Sequence, residues 1–368
     1  MNLLFLQRLD QAGGGSRASL RSTLRALRDQ RPDWQLTLAT REEGPLSRLA
    51  VEWGLAHAVV EMPHFRNHLQ RLSYWRACRK MAAWAETLRL DAILSNEWVT
   101  APHAFDVARR LGIPAMSYVR DFAALQRGRK YQLHRMDRLL CVCESMRRDL
   151  IAVGYDPEKV RTVYNPVLRP VSRTPDAGLR ARISGQSGVD RWLLYLGRIS
   201  PRKNQIAAVE TLRRLREITG RRWGLLLAGD SDETYAAEVD QAVAAAGLGG
   251  AVLQLGMIAE PGWLFDLADA SIMTSKSEGL ARVLIESFLC GKPGFSFPLD
   301  GLEDIYGDAL PLFVPEAREP AELAAKIAAA LEDGSVARER TDSLRTMLET
   351  RHSPSSHVAA FEEAVRFV

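Results

Sequence analysis

The feature that most restricts the fold of this sequence is the alternation of short apolar, β-type runs with segments of helical periodicity. This alternation is typical of parallel α/β layers, in which each strand is followed by a helix that packs on the sheet. Strands are predicted at residues 3–6, 36–39, 58–60, 92–94, 115–118, 138–142 and 160–163, and then at 192–196, 223–228, 252–255, 271–274 and 294–297. The sequence therefore predicts an α/β fold built on parallel sheets.

The series of strands and helices is interrupted once. Between residues 165 and 191 the periodicity disappears and Pro, Gly and Ser become frequent, as in a linker. The length of 368 residues also favours two cores over one. We predict two Rossmann-like domains facing across a cleft, at residues 1–170 and 191–352, joined by a linker at 171–190. Such sheets bind ligands at the carboxyl ends of their strands.

Composition excludes several classes of protein. With 46% hydrophobic and 26% charged residues, the chain is globular rather than disordered or fibrous. The sequence contains no uninterrupted run of eighteen apolar residues, so it predicts no membrane-spanning helix. The four cysteines form no Cys-x-x-Cys pair, so neither a disulfide framework nor a zinc site is indicated. We expect a cytoplasmic protein, either soluble or peripheral at the inner face of the plasma membrane.

The two halves of the chain differ in charge. Residues 1–170 contain 27 Lys and Arg against 17 Asp and Glu, a net charge of +10, whereas the remainder has 22 against 28, a net charge of −6. A basic first half favours an anionic partner, such as a membrane surface or an acidic acceptor. An ordinary solvated surface is the alternative explanation. Nothing in the sequence indicates a nucleic-acid partner.

A glycine-rich segment lies between the first strand and the first helix. The segment from Gly13 to Ala18, with glycine at Gly13, Gly14 and Gly15, matches the dinucleotide-binding pattern G-x-G-x-x-A, and Glu42 and Glu43 follow the second strand. Several residues separate the strand from these glycines, unlike in the dehydrogenase pattern. The segment is therefore interpreted as the cofactor loop of an NAD-dependent oxidoreductase, as a loop whose amides contact phosphate or hydroxyl groups, or as a simple turn.

The second half contains a possible diphosphate-binding loop. Gly197 allows a sharp exit from the strand at 192–196, and Arg198 and Lys203 lie on the loop that leads into the next helix. Two cations near the positive end of a helix suit a diphosphate, although solvated charges are the alternative. Gly229 and Asp230 follow the next strand, where glycine permits close approach of the backbone.

The segment at 275–287 carries two carboxylates with different predicted positions. Glu278 lies in the loop after a strand, and Glu286 lies on the helix that follows. A loop carboxylate can contact sugar hydroxyls or stabilise positive charge, and one on the helix can accept both hydroxyls of a ribose. Gly279 and the amides after it form another positive helix end.

Several motifs in the same order resemble family-4 retaining glycosyltransferases, which have the GT-B fold and use nucleotide-sugar donors. The similarity is strongest over residues 193–298. The matching motifs are Gly197-Arg198 with Lys203, Gly229-Asp230, Leu255-Gly256, Leu267-Ala268-Asp269-Ala270, Ser277-Glu278-Gly279 with Glu286, and Cys290-Gly291-Lys292-Pro293. Weaker matches in the first half are Gly13 to Gly15, Leu111-Gly112-Ile113-Pro114, Ser145 and Asn165-Pro166-Val167.

The resemblance implies roles for individual residues. Arg198 and Lys203 would neutralise the donor diphosphate, Glu278 would lie beside the donor sugar, and Glu286 would bind the ribose. The remaining implied donor contacts are Gly14, Gly15, Gly229, Asp230, Gly279, Leu280, Ala281 and Arg282. The family implies no metal and no other cofactor, with the nucleoside-diphosphate sugar as co-substrate. It also implies a C-terminal helix, at about 353–368, that crosses back to the first domain.

One position departs from the family pattern. Arg120 stands after the strand at 115–118, where many members have a histidine that reaches the donor sugar. A guanidinium cannot act as a base, so Arg120 would hold a hydroxyl, phosphate or acidic group. Asp121 would orient an acceptor hydroxyl or pair with Arg120, and pairing is favoured slightly. Arg17 is a second residue expected on the acceptor side.

The sequence thus predicts a retaining, metal-independent glycosyltransferase that transfers a hexose-type sugar to a glycan or lipid-linked acceptor, as in polysaccharide or lipopolysaccharide synthesis. An NAD-dependent oxidoreductase, a nucleotide-sugar epimerase of the same fold and a non-catalytic carbohydrate-binding relative are the alternatives.

Overall fold

A computed structural model of the chain describes residues 1–10, 15–64, 71–172, 177–332 and 334–366. The chain divides into two compact units. Unit 1 comprises Met1–Pro166 and Arg351–Val368, and unit 2 comprises Val167–Thr350. Each of the twelve predicted strands is present, with ends that shift by one or two residues.

In its described residues, unit 1 contains a seven-stranded sheet whose neighbouring strands are all parallel, in the order β3-β2-β1-β4-β5-β6-β7. The strands are β1 (Asn2–Gln7), β2 (Gln35–Thr40), β3 (Ala56–Val59), β4 (Ala92–Ser95), β5 (Ala115–Val119), β6 (Arg138–Cys141) and β7 (Val160–Thr162). Strand β1 is apolar on both faces from Leu3 to Leu6 because helices cover both sides of a parallel sheet.

The helices of this part of unit 1 follow the strands in sequence. They are α1 (Gly15–Gln30), α2 (Pro45–Glu52), α3 (Arg71–Glu86), α4 (Ala101–Leu111), α5 (Ala123–Arg127) and α6 (Glu144–Ala152). Helix α4 ends at Gly112, which has a φ of 69° and so adopts the left-handed conformation that glycine favours at a helix end. Pro114 follows just before β5, where the sequence predicts the next strand to begin.

Unit 2 contains, in its described residues, a five-stranded parallel sheet in the order β10-β9-β8-β11-β12. The strands are β8 (Arg191–Leu196), β9 (Trp223–Ala228), β10 (Val252–Gly256), β11 (Ala270–Met273) and β12 (Gly294–Ser296). The helices are α7 (Ala177–Ser184), α8 (Gln205–Thr219), α9 (Glu233–Ala245), α10 (Gly262–Leu267), α11 (Arg282–Leu289), α12 (Glu303–Tyr306), α13 (Leu310–Phe313), α14 (Pro320–Glu332) and α15 (Ser335–Arg351). The segment expected to be a linker, 171–190, includes α7, whose Ile183 is buried in the core of this unit.

The last helix, α16 (Pro354–Arg366), belongs to unit 1. Its Phe361 is fully buried and stacks near the rings of Phe5 on β1 and Tyr118 on β5. The imidazole Nδ1 of His357 lies 2.7 Å from the carbonyl oxygen of Tyr164, and burial lowers the pKa of His357 to about 4. Apolar packing and this hydrogen bond hold the C-terminal helix on the first sheet.

Candidate active site

In unit 2 the order of the strands reverses between β8 and β11. Strands β9 and β10 extend the sheet on one side of β8, and β11 and β12 extend it on the other. Open parallel sheets bind ligands at such a switch point, outside the carboxyl ends of the strands. Two loops lie there, at residues 197–204 after β8 and at 274–281 after β11. They contain half of the residues predicted to contact the donor.

Glycine is required where β8 and β9 end. Gly197 and Gly229 have φ angles of 156° and 151°, which side chains rarely adopt. A Cβ atom on Gly229 would lie 2.3 Å from the carbonyl oxygen of Gly197, and backbone atoms cannot yield easily. The two strand ends therefore lie in direct backbone contact.

Hydrogen bonds join the two loops at the switch point. The hydroxyl of Tyr195 on β8 donates to the carbonyl of Lys203 and lies 3.2 Å from the hydroxyl of Ser275. Burial raises the pKa of Tyr195 well above its usual range, so this phenol stays protonated. The hydroxyl of Thr274 donates to the carbonyl of Asn204 at 2.8 Å. The loops thus form one connected structure.

Glu278 is held by two cations from the opposite loop. Its Oε1 lies 2.6 Å from the Nζ of Lys203, and its Oε2 lies 3.4 Å from the Nη1 of Arg202. The side chains of Glu278 and Lys203 are only 10% and 12% exposed. The structure therefore brings two predicted catalytic residues together, although they are 75 positions apart in the sequence.

Arg198 is placed differently from Lys203. Its side chain is 62% exposed, and its Nε lies 3.9 Å from the Oδ2 of Asp230, a loose contact between two exposed groups. Of the two cations predicted to bind the diphosphate, Arg198 is therefore open to solvent and Lys203 is paired with Glu278. Asp230 follows Gly229 at the end of β9, next to the Arg198 loop.

Helix α11 carries the other predicted donor contacts at its start. Gly279, Leu280 and Ala281 lead into it, and no side chain caps its N-terminus. Arg282 lies in its first turn, 3.3 Å from the Oε1 of Glu286 one turn later. The Nη1 of Arg282 is buried and, among the described residues, has no hydrogen-bond partner. A buried donor of this kind suits an oxygen-rich ligand.

Unit 1 has its own switch point between β1 and β4, where the order of the strands reverses. Sequence reasoning missed the polar residues there. Glu97, just after β4, accepts a 2.5 Å hydrogen bond from the hydroxyl of Ser16 in the first turn of α1. The neighbouring Asn96 is fully buried and donates to the side chain of Gln7 at 2.6 Å. Their position directly after a buried strand was the available sequence signal.

Arg120 is buried in unit 1 rather than displayed at its surface, with 9% exposure. Its Nη2 lies 2.7 Å from the Oδ1 of Asn96, and its Nη1 lies 2.5 Å from the Oδ1 of Asn165. The guanidinium also lies over the ring of Tyr118, 4.0 Å from its centroid. These contacts make Arg120 part of a buried polar network that reaches the last residues before unit 2.

Asp121 takes a different partner from the one the sequence favoured. Its carboxylate accepts from the indole Nε1 of Trp98 at 3.1 Å and 3.2 Å. Arg17 lies in the first turn of α1, half-buried, near the same edge of the sheet. Gly15 begins α1 and is exposed, whereas Gly13 and Gly14 lie outside the described residues.

Models of two known families match successive parts of the chain. The model described as "Glycosyltransferase Family 4" matches residues 13–167, and the model described as "Glycosyl transferases group 1" matches residues 181–346. The chain belongs to the family-4 glycosyltransferases. The sequence matches none of the curated proteins.

Solved structures show that this family-4 glycosyltransferase has the GT-B fold. Anabaena HepE, in complex with UDP and glucose, is similar over 100% of both chains, with a TM-score of 0.81 and 19% identity. A glycosyltransferase from Rickettsia africae gives a TM-score of 0.81 at 15% identity, covering 99% of this chain and 97% of that one. The lipopolysaccharide outer core galactosyltransferase WaaB gives 0.73 at 16% identity, over 99% of each chain.

Two further observations concern metals and membranes. In the described parts of this glycosyltransferase, no group of three or more His, Cys, Asp or Glu side chains is placed to hold a metal ion. Across those same residues, no helix combines the length and apolarity needed to cross a bilayer. The family assignment favours a transferase over the NAD-dependent oxidoreductase.

Proposed function

We propose that this family-4 glycosyltransferase transfers a hexose from a nucleoside diphosphate to a glycan or lipid-linked acceptor, with retention of the anomeric configuration. The observation that carries the proposal is the carboxylate of Glu278, held by Lys203 and Arg202 at the switch point of unit 2. A carboxylate held beside two cations suits a ligand that presents sugar hydroxyls and a diphosphate together.

The donor diphosphate is bound by Arg198 and Lys203. Arg198 is exposed and loosely held, so it can turn to a phosphate without breaking a strong contact. Lys203 has three N–H donors and can share them between Glu278 and a phosphate oxygen. The side chains of the N-cap residues of α8 and α11 do not cap these helices, and the positive ends of the two helix dipoles add positive potential at the two loops. Arg282 and Glu286 bind the nucleoside part, with Glu286 accepting from the ribose hydroxyls.

These fixed cations neutralise the leaving group, a role that a divalent ion has in other transferases. The reaction is accordingly proposed to be independent of added metal. Turnover should be unchanged by EDTA, and a loss of activity that Mg²⁺ or Mn²⁺ restores would contradict this part of the proposal.

Uracil is the proposed base of the donor nucleotide, because the structure of HepE that resembles this chain was solved with UDP and glucose. A thermal-shift screen with UDP, GDP, ADP, NAD and UDP-hexoses tests this, since a bound ligand raises the melting temperature by mass action. We expect stabilisation by UDP and one UDP-hexose. Stabilisation by NAD alone would contradict the proposal.

Retention follows from attack on the same face of the sugar as the leaving group. The bond between the anomeric carbon and the diphosphate oxygen breaks, and the acceptor oxygen forms the new bond to that carbon. The acceptor proton passes to the departing phosphate oxygen. Glu278 orients the sugar and stabilises the positive charge that develops on its ring.

Proton NMR of the product tests retention. The coupling constant of the anomeric proton distinguishes the two configurations of the transferred hexose. A product with the configuration of the donor is expected. An inverted product would contradict the same-face mechanism.

The acceptor is proposed to bind at the carboxyl edge of the sheet in unit 1. Glu97 and Asp121 present carboxylates there, and each is oriented by one neighbouring donor, Ser16 or Trp98. Arg17 lies on the same edge and suits an acidic group. A cell-surface glycan or lipid-linked acceptor is proposed because the similar WaaB acts on the lipopolysaccharide outer core.

Helix α3 is the proposed membrane contact of unit 1. Leu72 and Trp75 are 72% and 42% exposed on it. Exposed Arg71, Arg76, Arg79 and Lys80 surround them. An exposed apolar pair within a basic face suits an anionic lipid surface.

Flotation with anionic liposomes tests this contact. Binding should be strong in low salt, weaker in high salt, and reduced by Leu72→Ser with Trp75→Ser. Ile218→Ser, which removes an exposed apolar side chain from α8 in unit 2, is the matched control. Equal binding by both variants would contradict the proposal.

The two alternatives of the same fold make different predictions. An epimerase would convert a UDP-hexose into its epimer without an acceptor. A non-catalytic relative would bind the donor without releasing UDP. Release of UDP that depends on an acceptor, without epimer formation, distinguishes the transferase from both.

A further inference from the structure

Arg202 lies beside the donor residues and has no role assigned by the sequence motifs. Its backbone and side chain contact three consecutive residues of the loop after β11. The Arg202 carbonyl accepts from the amide of Lys276 at 2.8 Å, and its Nη1 lies 2.7 Å from the carbonyl oxygen of Ser277 and 3.4 Å from the Oε2 of Glu278. One residue thus fixes the path of the segment that carries Glu278.

The two oxygens of Glu278 are divided between two cations. Lys203 contacts Oε1 and Arg202 contacts Oε2. The ammonium of Lys203 is at the end of a flexible chain and can turn toward a phosphate. The guanidinium of Arg202 is a rigid planar fork that already binds the backbone at Ser277. The two cations therefore differ in their ability to leave Glu278.

We infer that Arg202 is a positioning residue that retains Glu278 when Lys203 turns to the donor diphosphate. Arg202 keeps the carboxylate directed at the sugar, since a largely buried carboxylate without a cation is unfavourable. This inference rests on the proposed function. It assigns sugar positioning to Arg202, and diphosphate binding to Arg198 and Lys203.

The inference predicts that binding and turnover separate in an Arg202 variant. Arg202→Met should weaken UDP binding by at most about fivefold, and by less than Arg198→Ala does, because Glu278 then depends on Lys203 and releases it at a greater cost. The kcat for release of UDP from the donor should fall about 10- to 100-fold, since Glu278 is then misplaced relative to the sugar. Arg202→Lys should recover part of kcat, because an ammonium can reach either Ser277 or Glu278 but lacks the fork.

The experiment measures UDP binding by calorimetry and UDP release from the UDP-hexose that most stabilises the protein, with water as the acceptor. Arg214→Met is the matched control, because Arg214 is an exposed arginine on α8 that pairs with Glu210. Circular dichroism and melting temperature report folding of each variant. The control should leave both binding and turnover unchanged.

Two results would overturn the inference. If Arg202→Met weakens UDP binding as much as Arg198→Ala does, Arg202 is a diphosphate ligand. If Arg202→Met keeps the full kcat, Arg202 has no positioning role. Failure of the proposed function looks different, because the unaltered protein would then release no UDP from a UDP-hexose.

Discussion

Replacing Glu278 by glutamine should strengthen the binding of UDP while it abolishes sugar transfer. The Nζ of Lys203 lies 2.6 Å from the Oε1 of Glu278, and both side chains are largely buried. A diphosphate must draw Lys203 from this carboxylate. A hydrogen bond with a charged partner contributes about 1.5–3 kcal/mol. Glutamine keeps a bond of this class with the Lys203 ammonium but loses the negative charge, so it holds Lys203 less strongly by about 1 kcal/mol, which corresponds to about fivefold in affinity.

Calorimetric titration with UDP measures this change, and Glu210→Gln is the control because it weakens an arginine pair on the outer face of α8. Transfer from the UDP-hexose is measured on the same preparations. Unchanged or weaker UDP binding by Glu278→Gln would refute the competition for Lys203. Full transfer by this variant would refute the role of Glu278 at the sugar.

Three further predictions concern the packing and the stability of the two units. Gly229→Ala should lower both UDP affinity and the melting temperature, because its Cβ would lie 2.3 Å from the carbonyl of Gly197; unchanged values would contradict the close approach. Phe361→Ala should destabilise unit 1 by about 3–5 kcal/mol in urea unfolding, as for other buried aromatic residues, and a loss below about 1 kcal/mol would contradict its place in the core. Burial lowers the pKa values of His103 and His357 to about 4 in the folded protein, whereas an unfolded histidine has an ordinary pKa of about 6.5. Below about pH 6.5 the unfolded chain therefore binds more protons than the folded one. Each histidine should thus reduce the free energy of unfolding by about 2 kcal/mol between pH 7 and pH 5. His103→Phe should lessen this acid sensitivity in urea titrations at the two pH values, and an identical loss would contradict the assignment.

The strands were predictable because buried parallel strands are continuous apolar runs bounded by glycine, proline and polar residues. Leu225 to Leu227 on β9 show this clearly, since all three are fully buried. The helix within the segment at 171–190 was not predicted from the sequence. This helix, α7, has eight residues, of which Ile183 alone is buried, so it has too few apolar positions to show a helical periodicity. The glycines and serines around it favoured a linker instead.

The residues of the donor site were recognised in the sequence, but their pairing was not. Glu278 and Lys203 meet because β8 and β11 are neighbours in the sheet, and strand order is a property of the fold. Arg202 was missed because three basic residues stand on one short loop and the sequence does not say which one reaches Ser277. The inward direction of Arg120 likewise depends on Asn96 and Asn165, which lie far from it in the chain.

Titration of UDP and NAD into Arg198→Ala and the unaltered protein tests the central claim most directly. Arg198 is exposed and loosely paired, so its removal should change binding without changing the fold. Arg221→Ala is the matched control, because Arg221 is exposed just before β9 and pairs with Glu332. We predict that UDP binds, that Arg198→Ala weakens it by about 10- to 100-fold, and that Arg221→Ala has no effect. Binding of NAD in place of UDP, or equal UDP affinity in all three proteins, would contradict a donor site at the switch point of unit 2.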